Sequence, residues 1–214
     1  MLFTALPKDA GTVQDAINAG CSTTAVAGLN KQLVFAINTC YHSGVLQDIS
    51  STPKVIFGSA VFPYMQQNAK TSFNKAMTAS SRTLTMNSAY RTLAQQLMLY
   101  KWYLAGRCGI SLAAKPGTSN HETGIAFDCN DGSSWQSHFS QYSFKWLGSQ
   151  DPPHYDYTGS GNVEIRPSSI KGFQRLWNTN NPNDRIAEDG LYGPDTESRL
   201  LKSPAGGFAQ GIAC

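Results

Sequence analysis

The sequence is poor in charged side chains. Asp, Glu, Lys and Arg make up 14% of its 214 residues, whereas an average soluble domain has roughly 25%. The formal net charge is only +3, so nothing in the composition suggests a nucleic-acid-binding protein. Ser, Thr, Asn and Gly take the place of charged residues on the surface, and we associate this balance with secreted proteins.

Long apolar runs are missing as well. No stretch approaches the roughly 20 residues that a membrane-spanning helix needs, so we expect no membrane span. Residues 1–8 have no basic segment, and their apolar core is too short for a signal peptide. If the protein is secreted, we therefore expect either that a leader has been removed or that export follows another route.

The sequence also lacks a Cys-x-x-Cys pair, which argues against a zinc site built from thiolates. Its five cysteines are Cys21, Cys40, Cys108, Cys129 and Cys214. We expect disulfides formed in an oxidising compartment, with Cys108 paired to Cys129 across a loop that contains a histidine. Cys21 and Cys40 would be nearly 30 Å apart along a helix of about 19 residues, so one of them should pair with Cys214 and one thiol should remain free. The alternative is five reduced, buried cysteines in a cytosolic protein.

Hydrophobic periodicity predicts helices alternating with short strands. The predicted helices span residues 12–19, 24–41, 71–79, 89–105 and 135–146, and a further helix begins near Pro167. The predicted strands span 54–62 and 82–86, with a hairpin formed by 154–157 and 163–165. We therefore predict an α+β fold in which helices pack on a small antiparallel sheet, followed by a helical C-terminal segment. The domain boundary is placed between 1–165 and 166–214.

A histidine lies seven residues before an aspartate in the stretch 119–128. On a strand, Asp128 shares its face with the small Ala126, which leaves the carboxylate open to the imidazole of His121. Neutral imidazole and carboxylate are both zinc ligands, and a catalytic zinc keeps three protein ligands and one open position. The sequence thus predicts that the small sheet carries a zinc site, with a third ligand elsewhere in the chain.

The third ligand is expected in the segment Asp151-Pro-Pro-His154. Two prolines favour the polyproline conformation, which repeats every three residues, so both ends of the segment can face the same side. One of them could bind the metal while the other holds a proton near it.

Together these residues form the pattern Ser-x-His-x-x-Gly-x-Ala-x-Asp, followed by an acidic residue three positions before a histidine. The pattern resembles the zinc D-alanyl-D-alanine carboxypeptidase family, which includes vancomycin-resistance carboxypeptidases and dipeptidases and several phage endolysins. A second family element, Tyr-Arg-[Ser/Thr] followed by a Gln, is matched by Tyr90-Arg91-Thr92 and Gln95, and the resemblance covers roughly 55–165. Many relatives have Glu-x-Trp-His where this chain has Asp-Pro-Pro-His, so the pocket wall near Pro153 should differ.

The resemblance implies a role for each candidate residue. His121, Asp128 and His154 would hold Zn²⁺, and Asp151 would act as the general base. Arg91 would orient a carbonyl or carboxylate of the substrate, with Ser119 and Gln95 as further substrate contacts.

Plainer interpretations stay open for some of these residues. Arg91 and Gln95, four apart on the predicted helix, could be a solvated pair. Ser119 could simply bind local backbone. Glu122 is expected to be solvated and is a weak substitute for the base, and His42 and His138 are expected to be structural.

The C-terminal segment has a second resemblance. The run from Phe173 to Glu197 contains Asp-Gly-x-x-Gly-Pro-x-Thr and is similar to the peptidoglycan-binding module often fused to these peptidases. The similar stretch is short, so binding to the cell wall and simple packing both remain open.

The family resemblance implies a peptidase that hydrolyses bacterial cell-wall peptides, with D-alanyl-D-alanine carboxypeptidase as the first choice. The alternatives are a wall-peptide endopeptidase, a D-Ala-D-Ala dipeptidase, or a zinc-containing fold without catalysis, as in the hedgehog signalling domain. The expected partner is a peptidoglycan stem peptide, and we expect a monomer that is secreted or associated with the cell wall.

Overall fold

The computed structural model describes residues 11–214, so the expectation for residues 1–8 lies outside the described part. These residues form two compact units. The helical unit comprises 11–43, 92–119 and 165–214, and the sheet unit comprises 44–91 and 120–164. The predicted division into 1–165 and 166–214 stays a prediction.

Five α-helices build the helical unit: α1 (Val13–Ala19), α2 (Ala27–Ala36), α4 (Leu93–Leu104), α6 (Arg166–Asn180) and α7 (Pro194–Lys202). A 3-10 turn (Thr23–Val26) precedes α2, and a π-helical turn (Ile37–Tyr41) follows it, so the predicted helix 24–41 is divided into three parts. Helices α2, α4 and α6 contact one another. Their shared core contains the buried side chains Leu29, Leu33, Leu97, Trp102 and Phe173.

Side-chain caps explain where two of these helices begin. Thr12 and Asp15 form a capping box at α1. Thr92 and Gln95 form another at α4. Helix α4 therefore starts at Leu93, and the predicted start at residue 89 was wrong. Because Arg91 precedes the helix, Arg91 and Gln95 do not share a helical face.

The disulfides join Cys21 to Cys108 and Cys40 to Cys214, and all four cysteines belong to the helical unit. A bond between Cys214 and one of the first two cysteines was predicted correctly. One thiol is left over, as expected, but it belongs to Cys129 and not to Cys21 or Cys40. The predicted bond between Cys108 and Cys129 was wrong. Cys129 is a free cysteine, 1% exposed in the core of the sheet unit, and burial raises the pKa of its thiol to about 12.

The sheet unit contains a five-stranded sheet in the order β2 (Val55–Phe57), β4 (Leu84–Ser88), β5 (Ala126–Cys129), β7 (His154–Tyr157) and β6 (Phe144–Trp146). Strands β2 and β4 are parallel, and the other neighbours are antiparallel. A separate antiparallel pair joins β1 (Leu46–Asp48) to β3 (Tyr64–Gln66). The α+β class is confirmed, with one parallel pair in a sheet that was expected to be antiparallel.

An aromatic cluster forms the core of this unit between the sheet and helices α3 (Gln67–Ala79) and α5 (Gly132–Phe139). Phe127 of β5 stacks on Tyr155 at a centroid distance of 5.1 Å and meets Phe73 edge-on at 5.2 Å. Since Phe127 faces this core, its strand neighbours Ala126 and Asp128 point to the opposite face. The predicted alternation of β5 is thus present, and it places Asp128 away from the aromatic core.

Three predicted elements of the sheet unit were wrong. The strand 54–62 is limited to Val55–Phe57, and the helix 135–146 ends at Phe139. Ser143 adopts a left-handed conformation with φ of 62°, after which the chain continues as a strand. The hairpin of 154–157 with 163–165 does not form, because β7 pairs with β5 and β6 on its two sides. No helix within residues 11–214 is long and apolar enough to cross a membrane.

Candidate metal centre

Three potential ligand side chains converge in the sheet unit. Nε2 of His121 lies 3.1 Å from Oδ1 of Asp128 and 3.0 Å from Nδ1 of His154. The same Nδ1 lies 3.1 Å from the same Oδ1. All three residues are buried, with exposed fractions of 2%, 8% and 6% in chain order. The structure therefore brings together the three residues predicted as metal ligands.

Local structure explains how these side chains meet. Asp128 and His154 are direct partners in the register of β5 and β7. His121 lies on a 3-10 turn (Asn120–Thr123) that leads into β5. Gly124 links the turn to the strand with φ of +74°, and a side chain there would lie 2.7 Å from Leu46. Glycine suits this link because it avoids both the strain and the collision.

The ring nitrogens that point away from the centre each have a hydrogen-bond acceptor. Nδ1 of His121 lies 2.8 Å from the carbonyl oxygen of Ala89. Nε2 of His154 lies 2.9 Å from Oδ1 of Asp156, which also accepts a bond from the side chain of Asn120. A ring nitrogen that donates to a carbonyl or carboxylate carries the proton, so the inner nitrogen can offer its lone pair. The two imidazoles are therefore oriented as metal ligands.

The donor set fits a zinc ion. Two imidazole nitrogens and one carboxylate oxygen are typical ligands of a catalytic zinc. With metal–ligand distances of about 2.0–2.2 Å, adjacent ligands of a tetrahedral ion lie roughly 3.3–3.6 Å apart. The observed separations of 3.0–3.1 Å are slightly shorter, so a small outward shift of the three side chains would admit the ion.

Arg91 lies against the outer side of the centre. Its guanidinium forms an ion pair with Oδ2 of Asp128, while its Nε donates to Oγ of Ser88 at 2.9 Å. Its backbone N–H donates to the carbonyl of His121 at 3.1 Å. Burial would raise the pKa of Asp128, but His121 and Arg91 outweigh burial and hold this pKa well below its usual value. Asp128 is thus an anion at neutral pH.

The pKa values of the two histidines are shifted in opposite directions. Burial, with help from the Arg91 cation, lowers the pKa of His121 and keeps it neutral. Burial would also lower the pKa of His154, but hydrogen bonds to Asp128 and Asp156 raise it to about 9. Without metal, His154 therefore carries a proton on both ring nitrogens at neutral pH. Metal binding would displace the proton from the inner nitrogen.

Asp151 lies just before β7 and is partly buried. Burial raises the pKa of its carboxyl, and the negative charge of Asp128 raises it further. The positive charges of His154 and Arg91 act in the opposite direction, but the net shift of this pKa is upward. A carboxyl with a raised pKa beside a metal centre is suited to accept a proton.

The remaining predicted site residues lie in the helical unit. Gln95 uses both ends of its side chain within that unit: Nε2 donates to Oγ1 of Thr23 at 3.2 Å, and Oε1 accepts from the backbone of Thr92 at 3.2 Å. Ser119 is buried. A substrate contact by either residue stays a prediction.

The structure also tests what was expected of two further polar residues, Glu122 and His138. Glu122 was expected to be solvated, and this was wrong, since it is 1% exposed. His138 binds the carbonyl of Ala76 at 2.9 Å, in the packing role that was predicted. Sequence reasoning missed the acceptor at Ala89 and the donor Asn120, because neither belongs to a recognisable motif. The sequence did indicate Asp156 as a possible partner of His154, because the two residues share one face of a predicted strand.

Residues 63–160 match the family model VanY, D-alanyl-D-alanine carboxypeptidase. This match confirms the resemblance that was inferred from the histidine and aspartate motifs. No curated protein sequence matches the chain. The matched segment contains the three candidate metal ligands, Arg91 and Asp151. The segment that carries the candidate metal site is thus similar to the VanY D-alanyl-D-alanine carboxypeptidase family.

Proposed function

We propose that this protein is a zinc-dependent peptidase that hydrolyses bacterial cell-wall peptides and acts as a D-alanyl-D-alanine carboxypeptidase. The observation that carries the proposal is the buried cluster of His121, Asp128 and His154 inside the segment that matches VanY. The two disulfides support a site of action outside the cell.

The proposed roles follow the family resemblance, and the convergence of His121, Asp128 and His154 supports them. His121, Asp128 and His154 hold Zn²⁺, which when bound polarises the scissile carbonyl and makes a water molecule more acidic. Asp151 accepts a proton from the attacking water and passes it to the leaving amine. The raised pKa of its carboxyl supports this role, because a base works best when its pKa approaches the working pH.

Arg91 has two tasks in this proposal. Its ion pair with Asp128 fixes the orientation of a ligand. It also orients a carbonyl or carboxylate group of the substrate peptide, because a guanidinium can position as well as attract such a group. Ser119 and Gln95 remain proposed substrate contacts.

A decisive experiment offers three defined substrates to the purified, zinc-loaded protein. These are a stem pentapeptide ending in D-Ala-D-Ala, a cross-linked pair of stem peptides, and free D-Ala-D-Ala. Mass spectrometry of the products is expected to show loss of one terminal D-Ala from the pentapeptide. Cleavage of the cross-link would identify an endopeptidase, and cleavage of the dipeptide alone would identify a dipeptidase.

The rival hypothesis is a zinc-containing fold without catalytic activity. Asp151 and Arg91 speak against it, since a purely structural zinc site requires neither a nearby base nor a substrate-orienting cation. Failure of the zinc-loaded protein to cleave any of the three substrates would favour this rival. Binding of 166–214 to peptidoglycan is a separate proposal, tested by sedimentation of the protein with purified cell walls.

A further inference from the structure

The segment Asp151–Pro153 is held by its own carbonyl groups. Prolines lack a backbone N–H, so their carbonyls are the only backbone hydrogen-bonding groups they offer. The carbonyl of Pro152 accepts the indole N–H of Trp146 at 2.7 Å, and that of Pro153 accepts the N–H of Cys129 at 3.0 Å. The carbonyl of Asp151 accepts the N–H of His154 at 3.0 Å. Each carbonyl of the segment therefore has a donor.

The backbone of Gly132 lies in close contact with the same segment. A methyl group at this position would lie 2.1 Å from the carbonyl oxygen of Pro152. Gly132 has little room to retreat, because its own carbonyl accepts the hydroxyl of Tyr155, a fully buried residue. The absence of a side chain at Gly132 is thus required for the observed path of the backbone at Pro152.

The donor residues are themselves fixed by the sheet. Trp146 pairs with Tyr155 in the register of β6 and β7, and the N–H of Leu147 donates to the carbonyl of His154 at 3.1 Å. Cys129 directly follows the ligand Asp128 on β5. The same strands therefore fix the metal ligands and the segment that carries Asp151.

We propose that Trp146 and Gly132 are positioning residues that hold the Asp151 carboxylate at its working place beside the metal centre. The proposal rests on the proposed function, in which Asp151 is the base. The prolines fix two φ angles of the segment, the indole fixes one carbonyl, and Gly132 leaves space for that carbonyl. Proton transfer in the transition state depends on such fixed geometry, and a displacement of about 1 Å can cost roughly 100-fold in rate.

The test compares two substitutions with two matched controls. Trp146→Phe removes the indole donor and adds no atoms, and Gly132→Ala forces the Pro152 carbonyl to move. Trp177→Phe removes an indole–carbonyl bond of the same length, 2.7 Å to Asp184, in the helical unit. Gly20→Ala adds a methyl group that no atom within 4 Å opposes.

We expect kcat on the wall peptide to fall about 10- to 100-fold in Gly132→Ala and about fivefold in Trp146→Phe. The KM should change less than about twofold, and the zinc content should equal that of wild type, since both metal ligation and substrate contacts remain. Both controls should keep the wild-type kcat. Hydrogen exchange at the Cys129 and His154 amides should become faster in the two test variants, because these amides donate to the loosened segment.

Unchanged kcat in both test variants, measured on an active wild type, would overturn the inference and leave the proposed function intact. Loss of zinc together with activity would also overturn it, because the two residues would then support the fold rather than the base. If Gly132→Ala does not fold, Trp146→Phe carries the test. An inactive wild type would contradict the proposed function itself, and the inference would fall with it.

Discussion

Arg91 and Asp128 share an ion pair in which the arginine holds Oδ2 while Oδ1 faces the two histidines. Both side chains are mostly buried, with 18% and 12% of their surfaces exposed. The carboxylate is thus divided between an inner oxygen for the metal and an outer oxygen for the guanidinium. The arginine that the motif suggested for the substrate thus also neutralises the carboxylate of a candidate metal ligand.

Removal of this arginine should destabilise the metal-free protein more than the zinc-loaded one. Arg91→Ala leaves a buried carboxylate without its cation, which typically costs about 3–5 kcal/mol. Bound zinc would supply positive charge in its place. Calorimetry should therefore show a larger fall in Tm without zinc than with it. Equal falls in both states would mean that Arg91 acts mainly by packing.

The purified protein should contain about one zinc ion per chain, because one three-ligand site is proposed. His121→Ala should remove the metal, since it deletes a ligand whose ring is already oriented by Ala89. His138→Ala is the matched control and should keep the metal. Metal analysis by mass spectrometry gives both values, and equal zinc loss in the two variants would refute the assignment of ligands.

Two isosteric substitutions should separate catalysis from metal binding. Asp151→Asn keeps the size of the side chain but removes the proton acceptor, so zinc should stay bound while kcat falls about 10²- to 10⁴-fold. Asp128→Asn replaces an anionic ligand with a neutral one and should lower zinc affinity first. Full activity in Asp151→Asn would exclude this residue as the base, and the buried Glu122 would be examined next.

Asp156 should contribute to zinc affinity without touching the ion. Its carboxylate accepts the outer N–H of His154, and partners of this kind typically account for about 10- to 100-fold in metal affinity. Asp156→Ala is expected to weaken zinc binding by that factor in a chelator competition. Lys145→Ala, at the position paired with Asp156 in the sheet, should bind zinc as wild type does. Unchanged affinity in Asp156→Ala would show that the strand alone orients His154.

The stability of the metal-free protein should depend on pH through His154. The folded-state pKa of about 9 is higher than the usual value of 6.5. Its protonation therefore stabilises the fold fully below about pH 6.5, and this contribution is lost as the pH rises through 9. The Tm of the metal-free protein should fall across this interval, and His154→Gln should show a smaller fall. An equal fall in both proteins would assign the effect to another group.

The candidate metal centre could be predicted from the sequence because the residues that form it follow local patterns. His121 and Asp128 lie on one turn and the strand that follows, and the alternation of β5 set the face of Asp128. His154 was reached through its proline segment. Such patterns depend on neighbouring residues, which a sequence displays directly.

The predictions of the disulfide and of the helix ends failed where contacts that are not visible in a local sequence pattern determine the structure. Cys108 was assigned to Cys129 because the two bracket a loop, but the strand alternation that exposes Asp128 to the metal centre turns Cys129 into the aromatic core. The start of α4 was misplaced because Thr92 and Ser88 are both good caps, and Thr92 completes a capping box with Gln95. The end of α5 was missed because the aromatic spacing from Trp135 to Trp146 suits a helix, whereas Trp146 pairs with β7 instead.

The discontinuous course of the chain has a consequence for truncation. Since 11–43, 92–119 and 165–214 share one core, the chain leaves the helical unit and returns to it twice. A stop codon near residue 165 would delete α6 and α7, expose the apolar faces of α2 and α4, and leave Cys40 without Cys214. Shortened versions of this protein should therefore aggregate, and an excised sheet unit would need a designed linker between residues 91 and 120.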